Sequence, residues 1–297
     1  MALSSTQEQA AVYQEKITGE IFYALGLSRD GMMRRVLGPL FRAATHRFGQ
    51  IVARADAEAG RTGISGAARL ILPDFSLQTS LRGADQIPPE GPLLVVSNHP
   101  GGYDSLVLLS SIPRKDLKIV LSDVPFTRSF TNAYPYFIYV PGDTGGRMSA
   151  LRAAVDHLRN GGLLLIFAHG EVEPDPEVRP GGRESILEWS RSVEAMLRKV
   201  PQTWLQVTIA SGVLMRQFVD SPLVKIRRKA AKQQKLAEVL QISQQLVAPH
   251  SLQIHVHVSF AKPVQAMQLP QDAIMPAVIQ AGQQLFDEHL AALWQST

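Results

Sequence analysis

Two short runs, Leu93–Ser97 and Leu163–Ala168, are apolar almost from end to end and lie between turn-forming residues. A strand buried on both faces reads this way, because side chains of neither parity meet water. From about residue 70 onward, further short apolar runs alternate with stretches of helical periodicity. The runs are Ser76–Leu81, Lys118–Leu121, Phe137–Val140, Trp204–Ala210 and Gln253–Phe260. The helical stretches are Ser105–Ser111, Arg147–Asn160 and Glu184–Lys199, with Asn160-Gly161-Gly162 closing the second of them. The alternation predicts an α/β fold, a mainly parallel or mixed sheet flanked by helices. The last run alternates (Ile254, His255, Val256, His257, Val258), which predicts an edge strand with one wetter face.

The N-terminal part has a different texture. Leu37, Leu40, Phe41, Ala44, Phe48, Ile51 and Val52 recur at helical spacing, with Arg34, Arg35, Arg42, Arg47 and Arg54 between them. This predicts an N-terminal amphipathic helical segment over 1–65 and an α/β domain over 66–297. Such a basic helix suits either an anionic membrane surface or packing with a solvated arginine face. Residues 223–247 read as one further helix. Its start carries Lys225, Arg227, Arg228, Lys229, Lys232 and Lys235, uninterrupted by an acid before Glu238. Residues 272–294 read as a closing helix.

Composition excludes several classes. With 45% hydrophobic and 19% charged residues in 297, the chain is globular rather than disordered. The absence of cysteine excludes disulfide scaffolds, thiolate metal sites and a cysteine nucleophile. The formal charge of +4 is too small to demand nucleic acid, and no base-stacking aromatics interleave the basic run. Membrane phosphates or the nucleotide end of coenzyme A suit that run better. No apolar run approaches the ~20 residues of a spanning helix. The expectation is a protein that is cytoplasmic and lies on the inner face of a membrane. His255 and His257 share a strand face but have no third ligand at recognisable spacing, so no metal site is expected. Neither a Gly-x-x-x-x-Gly-Lys loop nor a Gly-x-Ser-x-Gly elbow is present.

The chemistry is concentrated in Val95-Val96-Ser97-Asn98-His99-Pro100-Gly101-Gly102-Tyr103-Asp104-Ser105. A buried strand runs into a glycine-containing turn and then a helix. Ligands bind at this place in open α/β sheets, beyond the carboxyl end of a strand. A turn between His99 and Asp104 would let the carboxylate fix the imidazole tautomer and leave the other nitrogen to take a proton from a hydroxyl. Gly101 and Gly102 would let a substrate approach the backbone. The alternative is that Asp104 only caps the helix and His99 is a satisfied polar residue.

This stretch resembles the first motif of the glycerolipid acyltransferases, Asn-His-x-x-x-x-Asp, which Asn98, His99 and Asp104 match. The resemblance extends from about Gly83 to Gly212. It implies that His99 is the general base on an acceptor hydroxyl, that Asp104 orients it, and that Asn98, Gly101 and Gly102 border the substrate. It further implies an acyl-CoA or acyl-carrier protein as donor, a lysophospholipid or related lipid as acceptor, and no cofactor. Phe137-Ile138-Tyr139-Val140 is similar to the family's second motif, although the arginine comes only at Arg147. In place of the third motif's Phe-Pro-Glu-Gly-Thr-Arg stand Phe167-Ala168-His169-Gly170-Glu171-Val172. Arg147, His169, Gly170, Glu171 and Arg183 are therefore the expected substrate contacts. Two other readings remain open at this point: a catalytically silent lipid-binding protein of the same fold, and a thioester or lipid hydrolase.

Overall fold

The computed structural model describes residues 5–295; residues 1–4 and 296–297, the outer ends of the two expected segments, lie outside them. Two helices open the chain, α1 (Ser5–Ala24) and α2 (Met32–Ile71). They cross at Gly49, where a Cβ would collide with the Ala10 carbonyl. Helix α2 is interrupted at Gly63, whose φ of 83° a side-chain-bearing residue rarely adopts. It also runs past residue 65, and Ala55, Ala59, Ile64 and Ala67 join the same apolar cluster as the sheet.

The remaining elements follow in order: β1 (Leu77–Arg82), β2 (Leu93–Ser97), α3 (Gly102–Ser111), β3 (Lys118–Ser122), β4 (Phe137–Val140), α4 (Thr144–Arg159), β5 (Leu163–Phe167), α5 (Gly182–Ser185), α6 (Ser192–Lys199), β6 (Trp204–Ser211), α7 (Arg216–Val219), α8 (Pro222–Lys225), α9 (Ala230–Val247), β7 (Ile254–Phe260), β8 (Val264–Gln265) and α10 (Ile274–Trp294). The sheet order is β1-β7-β6-β2-β5-β3-β4, with β8 beside β6. All neighbours are parallel except β6–β7 and β6–β8, which are antiparallel, so the sheet is mixed and mostly parallel.

Strands β2 and β5 are the middle of the molecule. Leu93 and Val95 join one apolar layer with α2 and α3, whereas Leu94 and Val96 join another with α4, α6 and α10. That split follows from the two-residue period of a strand, and β5 repeats it with Leu163 and Leu165 against Leu164 and Ile166. Helices on both faces bury both parities, so neither strand needed polar positions.

Three expectations are corrected. The stretch Glu184–Lys199 is not one helix: Trp189 is buried and donates to Glu173, and Ser190 N–H donates to the Ala168 carbonyl at 2.8 Å. These contacts pull the chain out of helical geometry between α5 and α6. Nor is 223–247 one helix, because α8 ends at Lys225 and Lys229 is extended (φ −95°, ψ 130°) before α9 begins. Strand β7 is interior, covered by β1, although its wetter face is as expected: His255 is exposed while Ile254, Val256 and Val258 are buried. Among the described residues no helix is long and apolar enough to cross a membrane.

Candidate active site

The carboxyl ends of β2, β5, β3 and β4 point to one side of the sheet, and the side chains of interest gather there. Asn98 continues β2 beyond its last ladder pair. Its Nδ2 donates to the Ala210 carbonyl at 2.9 Å and its Oδ1 accepts the Ala210 N–H at 2.8 Å. The amide is buried and fully used, so Asn98 clasps β2 to β6 and fixes where the following residue begins.

That residue is His99. Its Nδ1 lies 2.9 Å and 3.2 Å from the two Asp104 carboxylate oxygens. Asp104 is wholly buried and also accepts the Gly101 N–H at 3.1 Å. The imidazole stacks on Phe167 with ring centroids 4.2 Å apart. A carboxylate beside Nδ1 requires a proton on that nitrogen, which leaves Nε2 as the basic one. Burial lowers the proton affinity of His99, but the charge and hydrogen bond of Asp104, with Glu238 and Glu173 behind them, more than offset this, and its pKa is raised above 6.5. The side chain keeps 24% of its surface accessible, enough to meet a substrate.

His99 lines a cavity of about 640 Å³. Its apolar lining includes Ile119, Val140, Ala150, Leu151, Ala154 and Met196. The polar part carries Ser105, Ser122, Arg147, Glu171 and Lys235. Asp143 caps α4 by accepting the Gly146 N–H at 2.8 Å, and Arg147, on the first turn, donates to the Gly142 carbonyl at 2.7 Å. Among the described residues neither Arg147 nor Lys235 has a carboxylate within ion-pair distance.

The structure thus brings His99, Arg147, Gly170 and Glu171 to one cavity, with Asp104 directly behind His99. It places the other expected residues elsewhere. Arg183 is outside the cavity wall, paired with Asp287 at 2.9 Å. His169 sits beside the cavity strand with Nε2 3.5 Å from Glu188. The space over Gly101 and Gly102 is filled by the Glu238 carboxylate, which accepts the Gly102 N–H.

Sequence reading missed Glu173 and Glu238, and named Lys235 only as part of the basic run. Glu173 is buried beneath His99, and its Oε1 accepts from the Ser185 hydroxyl at 2.8 Å and the Trp189 N–H at 3.1 Å. Burial pushes its pKa up against the pull of these donors. Its only sequence signal is a second carboxylate two residues after Glu171. Lys235 and Glu238 belong to α9, far along the chain. Away from the cavity, the rings of His255 and His257 lie 4.0 Å apart, and His255 Nε2 is 2.8 Å from Ser80 Oγ.

Residues 78–211 match a family model described as Acyltransferase. The match includes His99, Asp104, Arg147, Gly170 and Glu173 and stops before Lys235 and Glu238. No curated protein gives a significant match to the sequence. Among solved structures the chain is similar to the 1-acyl-sn-glycerophosphate (LPA) acyltransferase PlsC from Thermotoga maritima, with 13% identity, a TM-score of 0.47, and coverage of 92% of this chain and 94% of that one.

Proposed function

We propose, on the premise that residues 78–211 belong to the Acyltransferase family, that the chain is an O-acyltransferase moving a fatty acyl group from a thioester to a hydroxyl of a lysophospholipid or related lipid. The observation that carries this is the contact between His99 Nδ1 and Asp104 at 2.9 Å, made by a histidine that lines a largely apolar cavity.

In this reading Nε2 of His99 removes the proton of the acceptor hydroxyl as its oxygen attacks the thioester carbonyl. Asp104 stabilises the imidazolium that forms. Collapse of the tetrahedral intermediate breaks the C–S bond, and the imidazolium returns its proton to the departing thiolate of coenzyme A or acyl-carrier protein. The oxygen ester and the free thiol are the products, and no acyl-enzyme is needed. The apolar lining at Ala150, Ala154 and Met196 suits an acyl chain. Arg147 and Lys235 suit an anionic group of donor or acceptor.

The substrates call for a lipid surface. Tyr23 on α1 and Met32, Met33, Val36 and Leu40 on α2 are exposed, and Leu223 and Ile226 are exposed near the basic run. Arg227 donates to the Leu25 carbonyl at 2.8 Å, which brings the two groups together. Apolar side chains bordered by Arg34, Arg35, Lys225 and Arg228 suit peripheral adsorption to an anionic leaflet, the inner face of a cytoplasmic membrane.

The test is incubation of the full chain with labelled acyl-CoA or acyl-carrier protein and a panel of lysolipids, beside His99→Ala. Transfer in the parent and a loss of roughly 10²–10⁴-fold in a folded variant are expected. Free fatty acid alone would make the protein a hydrolase; no product with any donor would leave a lipid-binding protein.

A further inference from the structure

Helix α9 lies beyond the matched segment, yet one of its faces is committed to the turn that carries His99. Gln234, Glu238, Gln241 and Gln245 recur every three or four residues and share one stripe. Gln234 Nε2 donates to the carbonyls of Pro100, at 2.8 Å, and Glu173. Glu238 accepts the Gly102 N–H. Gln241 donates to the Val213 carbonyl at 2.7 Å and accepts the Met215 N–H at 2.8 Å. Gln245 accepts the Tyr103 hydroxyl and donates to the Phe75 carbonyl. The three glutamines are buried, with 3%, 0% and 1% of their surface exposed. Buried amides cost stability unless each group is partnered, and leucines would serve a helix that only had to pack. Here every partner but the Tyr103 hydroxyl is backbone, and Pro100, Gly102 and Glu173 belong to the segments that carry and flank His99.

We propose that α9 completes the active site, with Gln234 and Glu238 as positioning residues that hold the Pro100–Gly102 turn and, through it, keep His99 against Asp104. The pKa of Glu238 is itself pushed up by burial, against the pull of the Gly102 N–H and the charge of His99, and in its ionised form Glu238 favours the imidazolium. The charged groups facing His99 are Asp104 on α3, Glu171 and Glu173 after β5, Arg147 on α4, and Lys235 and Glu238 on α9. Glutamine at 238 keeps an acceptor for the Gly102 N–H and removes the charge; alanine removes both.

The kinetic part of the test rests on the acyltransferase reading; the spectroscopic part does not. His99 is followed by NMR pH titration of its imidazole in the full chain, in the parent and in Glu238→Gln, Glu238→Ala and Gln234→Leu. In Glu238→Gln the titration should move to lower pH by about half a unit or more, because a nearby negative charge favours the protonated form. Transfer kinetics should show kcat reduced at least about tenfold in Glu238→Ala and Gln234→Leu with KM little changed, and largely restored in Glu238→Gln at high pH. Identical His99 titrations in every folded variant, or undiminished kcat in Glu238→Ala, would overturn the proposal. If the parent transfers no acyl group, the enzymatic reading fails while the titration still decides the role of α9.

Discussion

Glu173 grips His99 from both directions along the main chain: its N–H donates to the His99 carbonyl at 2.7 Å, and its side-chain Oε2 accepts the His99 N–H at 2.8 Å. With Ser185 and Trp189 on the other carboxylate oxygen, one buried side chain serves three donors. Glu173→Ala leaves the His99 N–H and the Trp189 N–H without this acceptor in the interior, while the Ser185 hydroxyl keeps the Gly182 carbonyl at 2.8 Å. We expect a loss of about 3 kcal/mol, at the upper end for stranding buried donors, read as a lower urea midpoint at unchanged slope. An unaltered midpoint would show that water replaces the carboxylate.

The raised pKa of His99 sets the direction of the pH dependence. A general base must be neutral, so kcat/KM should fall as pH drops through a value above 6.5 and level off at higher pH. Asp104→Asn removes the strongest influence that opposes desolvation. The inflection should then move to lower pH, and the plateau should drop because the imidazolium loses its partner. A profile flat from pH 6 to 9 in the parent would exclude His99 as the base.

Arg147 and Lys235 line the cavity from separate elements, and among the described residues neither has a carboxylate within ion-pair distance. Substituting either by Ala should raise KM for an anionic substrate by about tenfold with kcat nearly kept, as loss of uniform binding does. Neutral substrates should be unaffected. If the double variant binds the anionic substrate as well as the parent, its charge is held elsewhere.

Adsorption through the exposed apolar and basic groups should depend on salt. Binding to phosphatidylglycerol vesicles should weaken steadily as ionic strength rises, since the screening length falls to ~8 Å near physiological salt. Arg228→Glu should weaken it further, and equal co-sedimentation with neutral vesicles would remove the electrostatic part of the model.

His289 is a sensor of acid stability. It is buried between Ser211 Oγ at 2.7 Å and Ser259 Oγ at 2.8 Å. Burial, with the charges of His257 and Arg82, depresses its pKa from 6.5 to about 4. The unfolded chain therefore binds a proton that the folded chain refuses, and its contribution is complete above pH 6.5 and is lost as pH falls toward 4. That loss is about 3 kcal/mol. Asp175, raised to about 6 by burial, titrates in the opposite sense over the same range. The stability difference between the parent and His289→Gln isolates the histidine: it should shift by this amount against the parent between pH 7 and 4, and a constant difference would refute the depressed pKa.

Local spacing carried much of this architecture. The strands containing Leu93 and Leu163 were legible because burial on both faces leaves a continuous apolar run. His99 and Asp104 were legible because the turn between them is short. Arg183 was misplaced because its partner, Asp287, is 104 residues away and belongs to another helix. Glu238 was overlooked because Gly102 is 136 residues away. A stripe of glutamines also has the same hydropathy whether it faces solvent or a backbone, so charge directed attention to the basic run over 225–235 instead. The broken helix at Trp189 had no local cause at all, because the contact that breaks it is with Glu173 in the interior.

Strand β1 has a single neighbour, β7, and Ser80 meets His255 across 175 residues of sequence. During synthesis at about 5–20 residues per second, that partner leaves the ribosome on the order of 10–30 s after β1 does. For this interval β1 has no ladder to join and two open edges that any passing strand could extend. Its composition suits the wait: Gln78, Thr79, Ser80 and Arg82 are exposed even in the finished fold. A charged, polar strand is a poor template for association with other nascent chains. Exchanging these residues for valine or isoleucine would strengthen the finished sheet edge on paper, yet the change would first be felt as lost soluble yield, before the fold had closed.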